Sequence, residues 1–95
     1  MINLSNLTII IVTYKTDRQI LENCLKSIDR NIKVKIIENS NTIDEQDKIL
    51  LSKYKELTIS YTGKNLGYGG GNNYGFGITS TDFALVANPD IVFDN

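Results

Sequence analysis

The sequence predicts an α/β fold, a parallel Rossmann-like sheet of about four strands with flanking helices. Three observations predict it. Short β-branched apolar runs alternate with amphipathic stretches along all 95 residues. The first run, Ile9-Ile10-Ile11-Val12, is apolar at consecutive positions, so both faces of that strand must be covered, as in the middle of a parallel sheet. Polar clusters follow the apolar runs, at the carboxyl edge where a parallel sheet collects its ligand-binding loops.

The first strand is expected over Leu7 to Tyr14. Thr16-Asp17-Arg18-Gln19 fits a capping box with Thr16 as the cap. The helix after it places Ile20, Leu21, Cys24, Leu25 and Ile28 at one-turn spacing, so Cys24 reads as a small buried hydrophobe. Val34 to Glu38 forms the second strand and ends in Glu38-Asn39-Ser40-Asn41. Thr42-Ile43-Asp44-Glu45 is a second capping box, opening a helix to about Lys53 or Tyr54. Leu57 to Tyr61 is the third strand. All seven glycines lie between Gly63 and Gly77. Asp82 to Ala87 is the fourth strand, closed by Asn88-Pro89-Asp90. As the last strand it is expected at a sheet edge, where it could pair with a second copy of the chain.

Composition narrows the function. A net charge of −1 lacks the basic excess that drives phosphate-backbone binding, which argues against nucleic acid. With no histidine, the chain holds no Ser-His-Asp triad, no Cys-His pair and no His-ligated zinc. The single Cys24 forms no internal disulfide and suits a reducing compartment. No apolar run approaches the ~18 residues of a membrane span. Met1 to Asn6 carries no basic residue ahead of an apolar stretch, so no secretory signal is expected. Together these lead to an expected cytoplasmic location.

Several residues invite chemistry, and each has a plainer alternative. The Gly67 to Gly75 run lacks the spacing and the position of a dinucleotide fingerprint. It is either a segment that lets backbone approach an anion at a helix start, or a flexible glycine loop. Asn88-Pro89-Asp90 either offers a carboxylate to a divalent cation or is an Asx-Pro turn leaving the sheet. Glu38 either accepts a base or ribose hydrogen bond or is an exposed charge at a strand end. Tyr14 and Tyr68 sit in rim loops where a ring can stack on a base. Asp44, Glu45, Asp47 and Glu56 read as solvated helix surface without a role, and Tyr54 and Tyr61 as packing residues.

Five segments in order carry a family likeness. Ile10-Ile11-Val12-Thr13-Tyr14, Leu21 with Cys24-Leu25-Ser27, Ile36 to Ser40, Asn65 to Gly75, and Asn88-Pro89-Asp90 resemble the N-terminal half of a family 2 glycosyltransferase of the GT-A fold. The rhamnosyltransferase-like branch is nearest in character. The resemblance implies that Thr13, Tyr14, Glu38, Asn65, Gly67, Asn73 and Gly75 contact the nucleotide. It also implies that Asp90 holds Mg2+ or Mn2+ against the donor diphosphate. Glu38 stands where Asp is usual, and Asn88 replaces the first carboxylate of the metal motif.

The implied reaction is inverting transfer of a sugar from a nucleotide-diphosphate donor to a hydroxyl of a glycan or lipid-linked acceptor, in surface polysaccharide or glycoconjugate synthesis. The implied location of the full-length enzyme is the cytoplasm or the inner face of the membrane. Residues 1–95 read as one nucleotide-sugar-binding domain, shorter than a whole enzyme of this type, with no assignable catalytic base and no expected activity alone. A catalytically inactive nucleotide-binding fragment and a non-catalytic interaction module are the alternatives.

Overall fold

The computed structural model describes residues 6–41 and 45–93. Four strands and three helices alternate: β1 (Leu7–Thr13), α1 (Arg18–Lys26), β2 (Lys33–Glu38), α2 (Glu45–Lys53), β3 (Leu57–Tyr61), α3 (Gly67–Gly77) and β4 (Phe83–Ala87). The sheet order is β3-β2-β1-β4 and every pair is parallel. β1 is therefore interior, as its uninterrupted apolar run requires, and β4 is an edge.

Alternate residues of β1 serve two different cores. Ile9 and Ile11 pack with Leu21, Cys24 and Leu25 of α1, Ile28 just after it, Leu50 of α2, and Val34, Ile36, Leu57 and Ala87 of the other strands. Ile10 and Val12 point the other way, against Gly75 and Gly71 of α3. Full burial of such aliphatic side chains contributes roughly 1.5–3 kcal/mol each, so the central strand anchors both layers. No described helix is long and apolar enough to cross a membrane.

Three local expectations change. Asp17, not Thr16, caps α1: its Oδ1 accepts from Gln19 N at 2.9 Å and Ile20 N at 3.2 Å. A carboxylate so placed satisfies two free amides of the first turn and favours the positive end of the helix dipole. The Thr16 hydroxyl instead accepts from Tyr14 N, and the Gln19 amide donates along the helix to Asn23 rather than back to the cap. Ile20 is 45% exposed, because the buried stripe of α1 narrows to Leu21, Cys24 and Leu25, with Ile28 buried just past the helix end. The capping box expected at Thr42-Ile43-Asp44 lies outside the described residues.

Asp47 is the clearest correction. It is only 3% exposed, with Arg18 Nη2 at 2.6 Å from Oδ1 and the Tyr61 hydroxyl donating to Oδ2 at 2.6 Å. A helix-surface carboxylate in sequence is thus a buried ion-pair and hydrogen-bond centre joining α1, α2 and β3. Tyr61 accordingly carries a polar bond and is more than a packing residue, whereas Tyr54 is buried beneath the Arg30 guanidinium, 4.5 Å from its ring centroid.

Candidate functional site at the carboxyl edge of the sheet

Because all strands run parallel, their carboxyl ends meet on one edge. Thr13 pairs with Glu38, Glu38 with Tyr61, and Ile11 with Ala87. Backbone bonds extend this edge past the strands: Asn39 N donates to Thr13 O at 2.7 Å, Thr62 N to Glu38 O at 3.0 Å, and Gly63 N to Ser40 O at 3.1 Å.

Glu38 lies at the centre of this edge and is 4% exposed, so it is not a solvated strand end. Its Oε1 accepts from the Thr13 hydroxyl at 2.8 Å, and its Oε2 accepts from the Ser40 hydroxyl at 2.7 Å. The Lys15 backbone N–H is shared between the two oxygens at 3.3 and 3.2 Å. A buried carboxylate tolerates desolvation only when so many donors converge on it. Beside it, Tyr14 is exposed and Lys15 adopts a left-handed backbone at φ 52°.

Asn39 performs a task that the sequence did not single out. It is 2% exposed and its amide spans to the start of α3. Nδ2 donates to Gly67 O at 2.8 Å, while Oδ1 accepts from Leu66 N at 2.9 Å and from the Thr62 hydroxyl at 3.0 Å. One side chain therefore fixes where the glycine-rich helix begins. An Asn at a strand end followed by a glycine run was the available signal, but only folding shows that the two meet.

The glycine run is a helix, not a flexible loop. Asn65 Oδ1 accepts from Gly67 N at 2.9 Å, an Asx turn that lets Gly67 enter the helix at φ 76°. No side chain of the cap residue, Leu66, bonds the first-turn amides of α3. With the Gly67 amide taken by Asn65, the following amides of this glycine-rich first turn are of the kind that suits an anion. Gly71 and Gly75 face the sheet: a Cβ on Gly71 would fall 2.7 Å from Val12 Cγ1, and one on Gly75 would fall 2.8 Å from Ile10 Cγ2. The rim thus gathers Thr13, Tyr14, Glu38, Asn65 and Gly67. Asn73 stands exposed further along α3, and Gly75 lies deeper still, where its contacts are packing contacts.

Asn88-Pro89-Asp90 closes β4 as a turn in which Ile91 N donates to Asn88 O at 3.1 Å. Pro89 takes the position its ring favours. The Tyr68 hydroxyl donates to Asn88 Oδ1 at 3.0 Å, tying α3 to this turn. Asp90 is exposed, and its charge helps raise the thiol pKa of Cys24, although burial of Cys24 is the larger cause. Among the described residues no group of three acidic, Cys or His side chains gathers to hold a metal. The donor set is one free carboxylate beside an amide oxygen already in use. That suits a hard ion completed by phosphate oxygens and water, not a cage made by protein alone.

The family model for glycosyl transferase family 2 matches residues 8–95, which includes every rim segment described above. No curated protein matches the chain closely enough to count as a relative. With the family match spanning the parallel sheet and its entire carboxyl edge, the chain belongs to glycosyl transferase family 2.

Proposed function

We propose that this chain binds the donor nucleotide of an inverting, rhamnosyltransferase-like glycosyltransferase, which moves a sugar from a nucleotide diphosphate to a hydroxyl acceptor. The observation that carries the reading is the convergence of four polar elements on one edge. These are the Thr13–Lys15 turn, Glu38 with Asn39, the glycine-rich start of α3, and the Asn88–Asp90 turn. A nucleoside diphosphate needs such a mixture, with an aromatic ring and polar edge for the base and small-residue backbone amides for the phosphates. Tyr14 supplies the ring and Gly67 opens the helix that supplies the amides, with Asn65 and Asn73 on the same helix and its approach.

In the parent reaction the acceptor oxygen forms a bond to the anomeric carbon while the bond from that carbon to the diphosphate breaks. The acceptor proton passes to a base that no described residue is placed to provide. Asp90 is the residue that would hold Mg2+ or Mn2+; when bound, the ion offsets the charge of the departing diphosphate.

The test is an amide NMR titration with UDP, GDP and dTDP, with and without Mg2+. Shifts centred on Thr13 to Lys15, Glu38 to Ser40, Gly67 to Asn73 and Asp90 are expected. A well-folded spectrum that no nucleotide perturbs would sink the reading. Acceptor-dependent release of nucleoside diphosphate by these 95 residues would instead show that the chain is a complete catalyst.

A further inference from the structure

We propose that the amino edge of the sheet, opposite the rim described above, carries a groove that binds a phosphate group, with Lys35 and Lys55 as its cations. The groove shares no residue with the rim, so it stands or falls apart from the nucleotide reading.

Strand pairing builds the floor. Ile10 and Ile37 lie under α3, since a Cβ on Gly75 would fall 2.8 Å from Ile10 Cγ2 and 3.3 Å from Ile37 Cγ1. Lys35 is the register partner of Ile10 in β1 and of Thr58 in β3. Partners in a parallel sheet share a face, as do residues two apart along a strand, so Lys35 and Thr58 belong to the α3 face. Thr8 and its partner Lys33 continue that face one step nearer the amino edge. Beyond the end of α3, the hydroxyls of Thr8 and Thr81 bond at 2.6 Å, which ties the segment holding Ser80 to the floor. Lys55, just ahead of β3, completes the lining. The result is a groove of about 200 Å³ lined by Lys33, Lys35 and Lys55 with Thr8, Thr58 and Ser80.

Two features make this an anion site. The first is uncompensated charge. Lys35 is half-buried on an interior strand, yet its ammonium has no hydrogen-bond or ion-pair partner among the described residues, and neither has that of Lys55. Partial burial of an ammonium costs free energy that a bound anion offsets. Glu56 also lines the groove but pairs with neither lysine, so the local balance stays positive. The second feature is size and donor chemistry. Pockets for drug-sized ligands start at about 300 Å³, so this smaller groove suits a single phosphate group. Ammonium and hydroxyl groups supply the donors that phosphate oxygens accept. On the other face the same strands carry Ile9, Val34, Ile36 and Leu57 into the main core, so the lysines and threonines mark this face alone.

The test titrates inorganic phosphate into the full chain at constant ionic strength, balanced with sodium chloride, and reads amide spectra. Saturable shifts centred on Val34 to Ile36, Thr58 and Ser80 are expected. Lys35→Met keeps the apolar stem, removes the charge and should weaken phosphate at these amides by about tenfold. Lys55→Met should weaken it by about threefold, and Lys48→Met, at an exposed position of α2, should leave it unchanged. Shifts that never saturate, that survive Lys35→Met undiminished, or that fall only on Gly67 to Asn73 would overturn the proposal. Should Lys35→Met fail to fold, Lys55→Met decides, and an unchanged affinity there refutes the site.

Phosphatidylcholine vesicles with and without phosphatidic acid distinguish the sources of the phosphate. Binding to the acidic vesicles that inorganic phosphate displaces supports the site with a lipid headgroup as its ligand. Phosphate binding without vesicle binding supports it with a soluble phosphate. Vesicle binding that phosphate does not displace, with no saturable phosphate shifts, is diffuse surface attraction and refutes the site.

Discussion

The Tyr61 hydroxyl donates a 2.6 Å hydrogen bond to Oδ2 of Asp47, joining the last residue of β3 to the buried side of α2. Burial, followed by this bond and the Asp47 charge, pushes the Tyr61 pKa up to about 12 from an ordinary 10. Tyr61 therefore keeps its proton to higher pH in the folded chain than in the unfolded one. The contribution is fully present below pH 10, and stability falls as pH rises from about 10 to 12. Urea midpoints across that window should decline for the wild type, and Tyr61→Phe should remove this part of the decline.

Asp47→Ala is expected to be more damaging than Tyr61→Phe. It removes the ion pair to the partly buried Arg18 and the acceptor of the Tyr61 hydroxyl at once. A loss of about 2–4 kcal/mol by chemical denaturation is expected, against about 1 kcal/mol for the phenylalanine.

The glycines of α3 should split into two classes. Gly69→Ala meets nothing within 4 Å and lies in a helix, so it should stabilise by about 0.5–1 kcal/mol. Gly71→Ala and Gly75→Ala place a methyl against Val12 and Ile10, and should destabilise by about 1–3 kcal/mol despite better helix propensity. Thermal midpoints of the three variants decide this, and a uniform rise would refute the packing account.

Asn39→Asp replaces the amide donor facing Gly67 O with an acceptor. The start of α3 then loses its anchor, at a cost of about 2–3 kcal/mol. Nucleotide-induced shifts over Gly67 to Asn73 should vanish before the fold is lost, which amide spectra at low temperature can show.

Cys24 is wholly buried and its thiol pKa is raised by that burial. Labelling by a thiol reagent should therefore be slow and track unfolding, accelerating in parallel with the unfolding rate in urea. Fast labelling of the native chain would contradict the packing of α1 on the sheet.

The alternating architecture was legible because apolar runs of strand length announce both the strands and their burial. The rim was legible because parallel strands must end together. Asn39 and Asp47 were not legible. One looked like a generic loop polar residue and the other like a solvated helix charge, and each acquires its partners from segments more than a dozen residues away. The α1 cap was missed by one residue, since Thr16 and Asp17 are both competent caps and only the entry of the chain into the helix selects between them.

The sequence by itself determined that this chain is a parallel α/β domain with polar residues at the carboxyl ends of its strands, because the period and length of apolar runs are local properties. Tertiary structure alone decided that the Glu38 carboxylate turns inward onto Thr13, Lys15 and Ser40, and that Asn39 sets the start of α3. Hydrogen bonds between a strand end and a neighbouring loop depend on register and side-chain reach, and these exist only once the strands have paired.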